Sequence, residues 1–123
     1  MDHRSLVSVV DDDESVRESL PDLLRVCGFS ARAFASAEEF LASGLSDGVN
    51  VLILDIAMPG MSGPELQREL DDRRLGIPIV YVTALHDETM RSALRARGAV
   101  ECLFKPFSEA ALLEAVATAL RTK

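Results

Sequence analysis

Short strand-like apolar runs alternate with longer stretches of helical period five times along this chain, and few folds accommodate such an alternation. The strand-like runs occupy 6–10, 30–34, 51–54, 79–82 and 101–104. The third and fourth are apolar at nearly every position, so both of their faces must be covered, as in the middle of a sheet with helices on each side. Between the runs, Val16, Leu20, Leu23 and Leu24, then Leu66 and Leu70, then Leu112, Leu113, Val116 and Leu120 recur at amphipathic helical spacing. The pattern predicts an α/β fold in which five βα units wind a parallel sheet. Gly28 and Gly98 stand where the first and fourth helices should close, and Ser36 and Ser62 stand where N-caps are expected. Pro21 falls inside the first helix, and its missing N–H predicts a bend or an irregular early turn.

The 123 residues suit one domain spanning 1–123, without internal repeat or linker. No apolar run approaches the roughly 20 residues that cross a bilayer, so no membrane contact is expected. Met1-Asp2-His3-Arg4 leads straight into a short apolar run without the features of a signal peptide, which predicts a cytoplasmic location. A formal charge of −7 opposes direct contact with nucleic acid, so any action on DNA requires another module. Cys27 and Cys102 have neither CxxC spacing nor a nearby histidine and are expected to be two buried, reduced thiols.

Ligands of open α/β sheets bind outside the carboxyl ends of the strands. There the sequence sets Asp11-Asp12-Asp13 after the first run, Asp55 at the end of the third, Thr83 at the end of the fourth and Lys105-Pro106 after the fifth. Carboxylates gathered at one edge repel one another by about 4 kcal/mol per pair at about 4 Å, with an effective dielectric near 20. A hard divalent cation and a lysine ammonium are the natural compensation, and oxygen donors alone favour magnesium, manganese or calcium over zinc. An aspartate carboxylate can attack phosphorus to form an acyl phosphate. Phosphoryl transfer relies on positioning and on neutralising three equatorial oxygens, work suited to a metal, a lysine and a hydroxyl donor.

The segments VVDDDESVRESL, VLILDIAMPGMSG, VTA and LFKPF, in that order at the strand ends, resemble the receiver domains of bacterial response regulators over essentially the whole chain. The acidic cluster and the KPF segment look most like the FixJ and related LuxR-type transcriptional regulators. The resemblance implies a (βα)5 flavodoxin-like fold with strand order 2-1-3-4-5. It implies Asp55 as phosphoacceptor, with a sensor histidine kinase as donor and Mg2+ as cofactor. Asp12 would be a direct metal ligand, Asp11 would hold a metal-bound water, and the Ala57 carbonyl would complete the protein ligands beside Asp55. Lys105, aimed by a cis bond to Pro106, would pair with Asp55 and then with the phosphoryl oxygens, while Thr83 would swing its hydroxyl toward them. The family's aromatic switch position, three residues before the lysine, is Cys102 here, and Tyr81 does not match it. The resemblance further implies a phosphorylation-dependent homodimer through the fourth helix, fifth strand and fifth helix. Arg91, Arg95 and Arg97 would offer charge there to an acidic partner surface. It makes a transcription factor with a DNA-binding domain beyond this chain the better expectation.

Each residue also has a plainer reading. Acidic residues such as Asp11-Asp12-Asp13-Glu14 favour a helix N-terminus, Asp55 before Met58-Pro59-Gly60 suits a turn, and Lys105 suits a solvated loop. Thr83 could be a β-branched strand residue or a helix cap, and His86 is expected to cap or face solvent near the site. The arginines could serve only to keep a helix soluble. Among other function classes, haloacid dehalogenase-like phosphatases also use an aspartyl phosphate, but they carry a second aspartate two residues after the nucleophile, where this chain has Ala57. A scaffold-only pseudo-receiver would have lost the acceptor, the metal ligands or the lysine, and none is lost. The chain is therefore expected to catalyse only its own phosphorylation and dephosphorylation.

Overall fold

The computed structural model describes residues 4–44 and 46–122, so Met1-Asp2-His3 of the N-terminal reading lie outside the described residues. Five strands form one parallel sheet: β1 (Leu6–Val10), β2 (Ser30–Phe34), β3 (Val51–Asp55), β4 (Ile79–Thr83) and β5 (Glu101–Phe104). Five helices connect and follow them: α1 (Glu14–Val26), α2 (Ala37–Ala42), α3 (Gly63–Asp72), α4 (Glu88–Ala96) and α5 (Glu109–Arg121), with a 3-10 turn at Ser46–Gly48. The strand order is β2-β1-β3-β4-β5, a doubly wound flavodoxin-like (βα)5 sheet as expected.

Strand alternation divides the interior into two layers. Leu52 and Leu54 of β3 and Ile79 and Tyr81 of β4 pack with Phe40 of α2, Leu66 and Leu70 of α3 and Leu94 of α4. Val51, Ile53, Val80 and Val82 point the other way, onto Leu20 and Leu24 of α1 and Leu112 and Val116 of α5. Every residue of β3 and β4 is buried, which is why these two runs lack polar alternation. Both strands extend one residue beyond the apolar run, so Asp55 and Thr83 belong to the sheet.

The caps follow the sequence closely. Ser36 accepts from the Glu39 amide, and Ser62 and Glu65 form a reciprocal capping box at the start of α3. Gly28 and Gly98 take positive φ immediately after the C-caps Cys27 and Arg97, a conformation that L side chains disfavour. α1 is helical from Glu14 through Pro21 to Val26, with Leu20, Pro21 and Leu24 buried together. One expectation needs correction. Cys27 is exposed at the end of α1 rather than buried, since the amphipathic face has turned away from the sheet by that position; Cys102 is buried.

Candidate functional site

The carboxyl ends of β1, β3, β4 and β5 bring Asp11, Asp55, Thr83 and Lys105 to one corner. Asp11 follows β1 and is fully buried, with Oδ1 accepting from the Asp13 amide at 2.9 Å. Its carbonyl accepts from Arg17 of α1 at 3.0 Å. The acidic run thus divides by function. Asp13 is the N-cap of α1, accepting from the Ser15 amide and hydroxyl, Glu14 enters the first turn, and exposed Asp12 is left to face the corner. One carboxylate oxygen from each of Asp11, Asp12 and Asp55 lies within 4.8 Å of the others, a donor set that can hold a metal ion.

The cluster has an electrostatic cost. Burial, and then the Asp11 carboxylate, push the Asp55 carboxyl from its usual 3.8 up to about 7, with Lys105 pulling the other way. Burial disfavours the Lys105 ammonium, yet Asp11 and Asp55 more than offset this and hold it above the ordinary lysine range. Lys105 was expected to pair with Asp55; its Nζ reaches both carboxylates but lies 2.8 Å from Asp11 Oδ2 and 3.9 Å from Asp55 Oδ2. The closer contact goes to the more deeply buried anion, where dielectric screening is weakest.

Neighbouring backbone fixes these groups. The Lys105–Pro106 peptide is cis, as expected, and the Lys105 amide donates to the Thr83 carbonyl at 2.7 Å. Thr83 is buried and is not a helix cap, since Asp87 caps α4; its Oγ1 accepts from the Leu85 amide at 3.0 Å, leaving its proton free to be donated. Exposed Ala57 lies in the loop after β3. That loop is tied down by Glu38 of α2, which accepts from the Met61 amide at 2.8 Å, a contact nothing in the sequence pattern announced. Gly63 starts α3 so close to β3 that a Cβ there would overlap the Asp55 carbonyl oxygen.

Cys102 is buried as expected, and three residues of β4, β5 and the loop after β4 have defined surroundings. Cys102 is buried in the core, in register with Tyr81, with burial pushing its thiol up. Tyr81 is buried too, and its hydroxyl donates to Gln67 Oε1 at 2.6 Å. His86 is exposed, but its ring stacks on Phe104 with centroids 5.0 Å apart, and its Nε2 lies 2.8 Å from the Lys105 carbonyl oxygen. On α4, Arg91 contacts Glu88 and Glu101 at 3.5 Å and Arg95 contacts Glu101 at 4.0 Å, so both are already engaged within the chain.

The family described as response regulator receiver domain matches residues 7–117. The chain belongs to this family. Nodulation protein W of Bradyrhizobium diazoefficiens is 41% identical over 116 residues, covering 94% of this chain and 51% of that protein. Transcriptional regulatory protein FixJ of Rhizobium meliloti is 40% identical over 110 residues, covering 89% of this chain and 54% of that protein. The solved response regulator StyR superposes with a TM-score of 0.88 at 46% identity, over 97% of this chain and 60% of that one. This receiver chain is thus closely related to the FixJ and LuxR-type regulators, and it spans about half the length of the relatives it matches. No helix among its described residues is long and apolar enough to cross a membrane.

Proposed function

We propose that Asp55 is the phosphoacceptor of this receiver, and that Asp11, Asp12, Asp55 and the Ala57 carbonyl hold Mg2+ beside it. The carrying observation is the convergence of three carboxylates with one lysine at the ends of three parallel strands. The donor set fits: it is all oxygen, partly exposed through Asp12, and crowded enough to raise Asp55 to about 7. When bound, a hard divalent cation supplies positive charge against the carboxylates and the phosphoryl oxygens.

In its ionised form, the Asp55 carboxylate attacks phosphorus while the bond from phosphorus to the donor's nitrogen or oxygen breaks and its electron pair leaves with the donor. Lys105 moves its charge from Asp11 toward the arriving phosphoryl oxygens, and the Thr83 hydroxyl donates its free proton to another. The donor is a sensor histidine kinase. An apolar groove of about 310 Å³ beside Lys105, lined by Val16, Leu20, Leu23 and Phe107, gives such a partner a surface to approach. The residues 1–123 act as one receiver domain that makes no nucleic-acid contact itself. Its output is a change at the α4, β5 and α5 face, where a homodimer would form to control transcription through a separate DNA-binding domain. Acetyl phosphate with Mg2+ should label wild type at Asp55, identified by mass spectrometry, and leave Asp55→Asn unlabelled; equal labelling of the variant would overturn the assignment.

A further inference from the structure

We propose that Glu38 of α2 is a positioning residue that holds the loop after β3 in the shape Mg2+ requires, and so sets which divalent cation the corner prefers; the inference rests on the metal site proposed above. The loop joins Asp55 at the end of β3 to Gly63 at the start of α3 and carries the Ala57 carbonyl. Its base is closed where the Gly63 amide donates to the Ile56 carbonyl at 2.9 Å. Met58 is buried, and Met61 half-buried, in the apolar layer that also holds Ala37 and Phe40 of α2. Between the methionines the backbone turns at Gly60 with a φ of 75°. Glu38 reaches this turn from α2: its Oε2 accepts from the Met61 amide at 2.8 Å and lies 2.6 Å from where a Cβ on Gly60 would stand.

This bond supplies what the rest of the loop lacks. Ala57, Pro59 and Gly60 are exposed, and Pro59 has no N–H to donate. Methionine side chains fix the depth of the loop, but their flexible stems fix the direction of a neighbouring carbonyl poorly. An amide bonded to a charged acceptor is held in direction as well as in place. The acceptor is itself anchored, because α2 starts at the Ser36 N-cap and the Glu39 side chain accepts from the Ala35 amide. The clustered carboxylates are those of Asp11, Asp12 and Asp55, so Glu38 acts through the backbone of the loop rather than as a ligand. Magnesium demands near-octahedral geometry, whereas calcium accepts irregular and variable coordination. A carbonyl released to wander therefore penalises the smaller ion more.

Calorimetric titration of the chain with magnesium chloride and with calcium chloride tests the assignment. Glu38→Ala should weaken Mg2+ binding by about three- to tenfold and Ca2+ binding by no more than about twofold. Glu38→Gln keeps an oxygen acceptor and should hold both affinities within about twofold of wild type. Glu39→Ala removes the neighbouring charge of the same helical turn, so it should lower the melting temperature yet leave both affinities within about twofold. Unchanged Mg2+ binding in Glu38→Ala, equal weakening of both ions, or an equal loss in Glu39→Ala or Glu38→Gln overturns the proposal. If wild type binds neither ion, the metal reading fails by itself. The positioning claim is then decided on the metal-free proteins, where Glu38→Ala should speed amide exchange at Met61 by about tenfold and unchanged exchange would overturn it.

Discussion

The corner that gathers Asp11, Asp55 and Lys105 and the patch that stacks His86 on Phe104 adjoin along β4 and β5, yet they are built on opposite principles. At the corner, buried like charges are held together against their repulsion by strand ends that have no room to yield. In the patch, an exposed histidine ring, a half-buried phenylalanine and long side chains make contacts that favour one another but are individually weak. The difference teaches how a receiver can respond. Electrostatic tension resides at the corner, whereas the patch rests on contacts that water can replace at little cost.

The contrast breaks most visibly if tolerance to substitution proves equal in the two regions. Gly63→Ala should destabilise the protein by about 2–3 kcal/mol in urea unfolding, because the added Cβ meets the Asp55 backbone with Ile56 and Tyr81 already 3.1 Å away. Arg95→Ala, in the patch, should cost no more than about 0.5 kcal/mol. Comparable losses would remove the distinction between a fixed corner and a yielding patch.

A second measurement sharpens the division inside the acidic run. Asp12→Ala should weaken Mg2+ binding roughly tenfold or more by calorimetric titration, whereas Asp13→Ala should leave it within about twofold. Asp13→Ala should instead lower the melting temperature, because the N-cap of α1 loses its side-chain acceptor. The reverse pattern would mean that metal site and helix cap have been exchanged.

A third measurement is a tilt with pH. Between the usual 3.8 and about 7, the folded metal-free protein keeps a proton on Asp55 that the unfolded chain has released. Stability therefore falls as pH rises through that window, is free of this penalty below it and carries it in full above it. The melting temperature of wild type relative to Asp55→Asn should decline from pH 4 to pH 7, and Mg2+ should reverse the decline at pH 8. A constant difference across the window would mean that the corner carries no tension.

Much of this was legible in the residues. Apolar runs with no polar alternation marked β3 and β4 as central, and serine and glycine at the right offsets marked helix ends, because these signals arise from neighbours a few positions apart. The site was legible through strand-end placement: Asp11, Asp12, Asp55, Thr83 and Lys105 all follow from knowing where each strand stops. His86 escaped in part, because a lone histidine after a strand carries no pattern and its partners lie 18 and 19 residues further on. Glu38 escaped entirely, since its bond to the Met61 amide spans 23 residues.

The sequence by itself thus determined the number and kind of elements, the two-sided burial of the sheet and the chemical types gathered at its carboxyl edge. All of these depend on periodicity and on which residue ends a strand. Tertiary structure alone decided that Lys105 leans to Asp11 rather than Asp55, that Cys27 is exposed and Cys102 buried, and that a histidine ring, a phenylalanine and an arginine meet beside Thr83. Those outcomes depend on distances between side chains from separate strands and helices, which strand register and helix packing set, and which local spacing along the chain does not encode.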